Sequence, residues 1–395
     1  MTLRLSRRSA LLGALAAPAV VHTGWAADGP IRIGSITPLT GAGGAYGPAM
    51  VKTIRAVVDE VNGAGGVLGR KIELISEDDE TNPDAGVRAA RKLIDVDKVV
   101  AILGTWASSV TTAVAPLCWQ NKVMLFTVSG ADNITRLPHL GYIIRTQPDS
   151  NLQSERAAAF MLKQGVKKVA YLSAQSPFAV SVYQRQAEVL KAGGATVLGN
   201  VIYDAAKTSF RSEVDTALKD KPDALFLNSY QPDLTVLLRD LYRAGFDGKR
   251  YTLGYAANDK LIAALPKEVT DGLISYAPSP DLDSPAYKKV QSIVGSNPDP
   301  YSCQTFDHAN LAVLSMAKAG AATGPAIHDA VREIGNPKGT PVTDALAGIA
   351  ALKSGEIDYS GASGPCKFTP IGDITGCKFR FDQVEKGQDK LIELS

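Results

Sequence analysis

Short, β-branched apolar runs alternate with segments of helical periodicity from Ile31 to Leu253, and they do so in two consecutive sets. Ile31 to Leu39 reads as a strand. Met50, Ile54, Val57, Val58 and Val61 then recur at three and four residues, so Pro48 to Asn62 reads as a helix with proline in its first turn. Lys71 to Ser76, Val99 to Leu103 and Val123 to Thr127 are further strands, separated by helical patterns over Ala85 to Ile94 and Val110 to Gln120. After Thr146-Gln147-Pro148-Asp149 the rhythm restarts. Helices at Leu152 to Lys163, Ser181 to Lys191, Arg211 to Leu218 and Leu234 to Ala244 alternate with strands at Lys168 to Leu172, Thr196 to Tyr203, Ala224 to Leu227 and Tyr251 to Leu253. Such an order needs parallel sheets covered by helices on both faces, which makes this an α/β chain of two doubly wound units. The rest of the chain holds a long helix, Cys303 to Ala319, a second near Ala326 to Ile334, and a hairpin. It has too few strands for a third unit and is expected to complete the first two.

The chain's 395 residues are enough for two or three domains at about 150 residues each. Its first 26 residues read as an export leader and are set aside from the fold. Arg4, Arg7 and Arg8 precede the apolar run Ala10 to Val21, and Gly24-Trp25-Ala26 offers small residues to a signal peptidase, so Ala27 is expected to begin the mature chain. Ser6-Arg7-Arg8-Ser9-Ala10-Leu11 also fits a twin-arginine export signal. Without this leader the chain has 39 basic and 40 acidic residues, and a balance so even argues against a nucleic-acid groove.

Four cysteines suit an exported protein in an oxidising compartment. Cys366 and Cys377 flank a segment that reads as a hairpin, with Pro370 and Gly372 at the bend, and a Cys366–Cys377 disulfide is expected. Cys118 and Cys303 fall on separate helices, and both a bonded pair and two buried thiols remain open.

The enzyme readings fail in turn. No two histidines of the mature chain lie three or four residues apart, and there is no Cys-x-x-Cys, so no metal site is expected. Neither a Gly-x-Ser-x-Gly elbow nor a Gly-x-x-x-x-Gly-Lys phosphate loop occurs. Gly41-Ala42-Gly43-Gly44-Ala45-Tyr46-Gly47 follows the first strand, but its third glycine is misplaced for a dinucleotide loop; a flexible loop is expected there, and no cofactor. Open α/β sheets bind ligands beyond the carboxyl ends of their strands. Two more such ends look accessible: Gly104-Thr105-Trp106-Ala107-Ser108-Ser109, and Val128-Ser129-Gly130-Ala131-Asp132. Ser108 or Ser109 is expected to cap the following helix, whose first amides would suit a carboxylate.

Beyond these local signals the chain resembles a known family, the solute-binding proteins of ABC importers, in particular the branched-chain amino acid binding type. The resemblance rests on Ile33-Gly34 with Pro38-Leu39-Thr40-Gly41, the Tyr46-Gly47 step, Asn62-Gly63-Ala64-Gly65-Gly66-Val67-Leu68-Gly69-Arg70, and Asp78-Asp79. It continues through Gly104 with Ser108-Ser109, Arg145-Thr146, Tyr301 to Ala312 and Gly364 to Asp373. It implies two lobes joined by three crossovers, lobe one from residues 27–148 and 279–376, lobe two from 149–278 and 377–395. It also implies a soluble periplasmic monomer that performs no chemistry, and that hands a small carboxylate or amino-acid-like ligand to a membrane permease; a ligand-sensing module for a signalling partner would share the fold.

Carried over by position, Ser108 would hold a ligand carboxylate, with Ser109 beside it, and Ser129, Gly130 and Ala131 would form the neighbouring loop. Ala131 lacks the hydroxyl that the family uses there. Tyr46, Phe178, Tyr230 and Tyr301 fall where the family places aromatic walls, and Trp106 and Tyr255 could add two more. Binders of α-amino acids place an acidic residue where this chain has Ala256, and an unpaired ammonium in a closed cleft is costly. Either Asp259 reaches in from one turn further on, or the ligand has no α-ammonium. We favour the second: an acid with an aromatic or apolar body.

Overall fold

The computed structural model describes residues 29–395, so the expected leader and its cleavage point lie outside the described residues. The first half runs β1 (Ile31–Thr37), α1 (Gly47–Gly63), β2 (Ile72–Asp78), α2 (Pro83–Arg91), β3 (Ala101–Gly104), α3 (Ser108–Gln120), β4 (Met124–Thr127) and β5 (Ile143–Arg145). The second runs α4 (Ser150–Lys163), β6 (Lys168–Ala174), α5 (Pro177–Ala192), β7 (Thr196–Tyr203), α6 (Arg211–Leu218), β8 (Ala224–Asn228), α7 (Gln231–Arg243), β9 (Lys249–Leu253), α8 (Asp259–Ala264), α9 (Lys267–Thr270) and β10 (Leu273–Ser279). Then come α10 (Pro285–Val294), α11 (Pro300–Ala319), α12 (Gly324–Ala330), β11 (Thr340–Val342), α13 (Ala345–Leu352), β12 (Ile357–Gly361), β13 (Gly364–Pro365), β14 (Lys378–Glu385) and β15 (Gln388–Leu394).

Two large sheets result, one in each lobe. The first has the all-parallel order β2-β1-β3-β4-β5, and the second the order β15-β14-β10-β9-β8-β6-β7. β14 pairs antiparallel with both β10 and β15, so this sheet is mixed and not purely parallel as the alternation predicts. The chain passes between the lobes after β5, after β10 and before β14.

Local chemistry sets the elements. Asn82 caps α2 by accepting from the Asp84 and Ala85 amides, with Pro83 next in the chain. Asp299 caps α11 in the same way, through Tyr301 and Ser302, and Gly320 ends it at φ +66°. From Tyr301 to Met316 every residue of α11 is buried. A helix covered all round must run through a core, and α11 packs with α1, α12 and the first sheet around Ile54, Val58, Phe126, Phe306 and Leu314. A second core under α6 and α7 holds Phe210, Leu234, Leu237 and Leu241. The third spans both lobes, joining Trp106 and Tyr301 to Phe178, Phe226 and Phe379.

The expected disulfide is absent: all four cysteines are free thiols. The hairpin does form, with Phe368 paired to Ile374 and a turn closed by the Gly372 amide on the Thr369 carbonyl at 2.9 Å. That register, carried outward, sets Cys366 opposite Gly376 and not opposite Cys377. An offset of one residue points the two side chains to opposite faces. Cys366 enters the core beside Tyr359, whereas Cys377 packs against the core shared by the two lobes. Cys118 and Cys303 are buried in different cores.

Candidate functional site

The carboxyl ends of β1, β3 and β4 face those of the second sheet across a cleft, and rings fill it. At the end of β3 the chain turns through Thr105, a β-branched residue held at φ +49°. Its amide bonds the Ile36 carbonyl at 2.7 Å and its hydroxyl donates to Thr127 Oγ1 at 2.9 Å. Such a conformation costs on the order of 1–3 kcal/mol and persists where the surroundings enforce it. It presents Trp106 to the other lobe. The indole lies 5.7 Å from Tyr46, stacked, and meets Tyr255 and Tyr301 edge-on at 5.5 and 5.7 Å, with Tyr230 tilted at 5.6 Å. A Cβ on Gly43 would stand 2.7 Å from the indole, so the loop after β1 is packed against Trp106.

A small cavity opens within this cluster, lined by Trp106, Ala107, Ser108, Val128, Gly130, Gln147, Phe178, Tyr230, Tyr255 and Tyr301. Among the described residues no charged side chain lines it. Electropositive ends come from backbone instead: Ser108 begins α3, Phe178 lies in the first turn of α5, and Tyr230 is the N-cap of α7. No side chain caps α3. The residue preceding its first turn is Ala107, so neither Ser108 nor Ser109 is the N-cap that the sequence suggests. Because the helix starts at Ser108, two residues before the expected Val110, the Ser108 hydroxyl caps nothing and accepts from the Ala131 amide at 3.1 Å, tying the α3 start to the loop after β4. The uncapped first-turn amides are the donors suited to an anion.

The phenols are neutral donors at physiological pH. Burial pushes the Tyr230 hydroxyl up to about 12, with Asp233 and Asp79 adding to the effect, and burial also drives Tyr46, Tyr255 and Tyr301 well up. The Tyr46 hydroxyl donates to the Tyr255 carbonyl at 2.7 Å, a direct bond between the lobes, and Asn258 Nδ2 reaches the same carbonyl at 3.2 Å.

Of the residues singled out from the sequence, the cavity brings together Trp106, Ser108, Gly130, Phe178, Tyr230, Tyr255 and Tyr301. Tyr46 stands one ring behind them. Ser109 does not line the cavity. Ser129 is fully buried and spends its hydroxyl on the Thr105 and Trp106 carbonyls, at 2.9 and 2.8 Å. Ala131 packs in the shared core and Ala256 in the core of the second lobe. Asp259 is exposed at the first position of α8 and is not among the lining residues. Ala107 and Val128, from the two strand-end segments, line the cavity too, and Gln147 lines it from a segment that carries no site signal in the sequence. Among the described residues no group of three or more His, Cys, Asp or Glu could hold a metal ion, and no helix is long and apolar enough to cross a membrane.

Residues 30–388 match the periplasmic binding protein family. The chain belongs to that family. A relative among periplasmic binding proteins, a Leu/Ile/Val-binding protein of Rhizobium johnstonii, is 27% identical over 364 residues, covering 92% of this chain and 94% of the relative. In structure, the leucine-binding protein LivK of Thermotoga maritima superposes with a TM-score of 0.79 at 22% identity, covering 92% of this chain and 98% of that one. A solute-binding protein of a Rhodopseudomonas palustris ABC transporter, solved with 4-hydroxybenzoate, superposes with a TM-score of 0.76 at 21% identity, covering 93% and 97%. Periplasmic binding proteins of this two-lobed α/β type bind solutes.

Proposed function

We propose that this protein is the extracytoplasmic binding subunit of an ABC importer, and that its ligand is a small carboxylate with an aromatic or apolar body and no α-ammonium. One observation carries the reading: the interlobe cavity is walled by rings and opens on an uncapped helix start, yet no carboxylate lines it. A ligand ammonium there would be desolvated without a counter-charge, whereas a ligand carboxylate would meet backbone amides at the positive end of α3. The Rhodopseudomonas neighbour and its 4-hydroxybenzoate indicate that the fold can house such an acid. Binding would draw the lobes together, which requires the ligand to bind the closed form better than the open one, and the closed pair of lobe surfaces would then engage the permease. As a monomer the protein would offer one cleft per chain.

Calorimetry with benzoate, phenylacetate, 4-methylvalerate and leucine tests the reading. The ring-bearing or branched acids should bind more tightly than leucine. Leucine binding in the micromolar range with no response to the acids would refute it.

A further inference from the structure

Gln147 is the polar side chain in this cavity that neither the cleft's aromatic walls nor its helix ends account for. It lies in the extended crossover between β5 and α4, anchored on both sides. The Thr146 amide bonds the Thr127 carbonyl at 3.2 Å, and Gln153 Nε2 bonds the Pro148 carbonyl at 2.7 Å. Gln147 is 3% exposed and lines the cavity. Its Oε1 accepts from Gln304 Nε2 at 2.7 Å. Gln304, itself 2% exposed, sits one turn after Tyr301 on α11, and its own Oε1 is buried with no partner among the described residues. Each amide therefore uses one end on the other; Gln147 lines the cavity, and no described protein group accepts from its Nε2.

A buried amide left half-bonded is costly, and a leucine or methionine would fill the same space without that cost. The arrangement makes physical sense if a ligand atom completes it. We infer that Gln147, held in place by Gln304, reads a hydroxyl on the ligand in addition to the carboxylate at the start of α3. A hydroxyl suits the site whichever way the amide pair is turned, because it accepts from Nε2 or donates to Oε1. The ligand class is thereby narrowed to hydroxylated aromatic acids. Gln147 is the specificity residue and Gln304 its positioning residue. This assignment rests on the carboxylate reading above.

Calorimetry of the full chain against benzoate and its 2-, 3- and 4-hydroxy derivatives provides the test. At least one hydroxybenzoate should bind about tenfold more tightly than benzoate, the value of one net hydrogen bond at a dry site. In Gln147→Leu the ratio of the two affinities should fall to about one, and Gln304→Leu, which touches no ligand, should shrink the same ratio. A change in packing alone would weaken both ligands together and leave the ratio intact. If Gln147→Leu does not fold, Gln147→Met, closer in shape, replaces it. A wild-type ratio of one for every hydroxybenzoate, or a ratio that survives loss of the Gln147 amide, overturns the inference while leaving the carboxylate reading standing. If neither benzoate nor any derivative binds, this assignment falls, whereas the carboxylate reading falls only if phenylacetate and 4-methylvalerate fail as well.

Discussion

Gly130 and Phe178 stand on opposite lobes, and the space between them is smaller than one methyl group. A Cβ built on Gly130 would lie 2.5 and 3.1 Å from two ring carbons of Phe178, and 2.9 Å from Gln153 Nε2. Ordinary carbon contacts begin near 3.5 Å, so Gly130→Ala requires the ring to retreat by about 1 Å. To move aside, the buried Gln153 would have to give up its bond to the Pro148 carbonyl. The ring cannot move freely either, because Phe178 is 9% exposed and packs near Tyr255, with ring centroids 6.3 Å apart. Overpacking of this kind costs about 1–3 kcal/mol. Because the two groups belong to different lobes, that cost falls on the closed form and is relieved by opening. The variant should lose about 5- to 150-fold in ligand affinity, as the same energy predicts, while its melting temperature without ligand stays close to wild type. Small-angle scattering at saturating benzoate should show the wild-type radius of gyration shrinking and that of the alanine variant staying expanded. Wild-type affinity in Gly130→Ala, with normal compaction, would refute the view that these lobes close on each other at this point.

Buried groups give the other outcomes. Burial lifts the Asp79 carboxyl to about 7 from 3.8, so the folded chain holds this proton more tightly than the unfolded one, and the contribution to stability falls as pH rises from about 4 to about 7. Asp79→Asn should remove that slope and be more stable than wild type at pH 8, by up to about 4 kcal/mol, as read from urea midpoints. His308 acts with the opposite sign: burial lowers it to about 3, so its contribution is lost as pH falls below about 6.5, and only the difference between variant and wild type isolates Asp79. The Arg145 guanidinium is fully buried and bonds the Ala131 carbonyl at 2.6 Å, Thr135 Oγ1 at 3.1 Å and Asp373 Oδ1 at 2.5 Å. Arg145→Met should cost about 3–5 kcal/mol by stranding Asp373, and adding Asp373→Leu should restore part of it; chemical denaturation of both variants checks this. Burial raises the thiols of Cys118, Cys303, Cys366 and Cys377, with Cys118 and Cys377 pushed up to about 12, so a thiol reagent at neutral pH should label the folded protein far more slowly than the four sites it finds in guanidinium.

Much of this architecture is legible along the chain because the signals are local. Met50, Ile54, Val57, Val58 and Val61 declare one face of α1, and all five are buried. The strands that escape notice are those whose partners, not their composition, make them strands. β5 has only three residues, β10 contains Pro278, and β15 is a largely exposed edge strand whose hydrogen bonds to β14 hold it. The cysteine expectation failed on a register that shifts by one residue, which spacing alone does not reveal. In the cleft, the ring residues announce themselves by type and by position after a strand. Gln147 does not, because Thr146-Gln147-Pro148-Asp149 has the composition of a linker and its partner is 157 residues away. The one available signal was Gln304, a polar residue three positions after Tyr301, hence on nearly the same side of a helix that is otherwise walled in.

The order in which the two sheets are completed has a consequence for how the molecule is made. The first sheet is covered by α11, which is encoded after the whole of β6 to β10, and the second receives β14 and β15 from the end of the chain, where Phe379 and Ser395 exchange backbone hydrogen bonds at 2.7 and 2.8 Å. A ribosome therefore completes neither half before the segments that follow β10 have emerged. Each nascent half waits for a part that lies downstream of the other, so the two should fold, and unfold, as one cooperative unit.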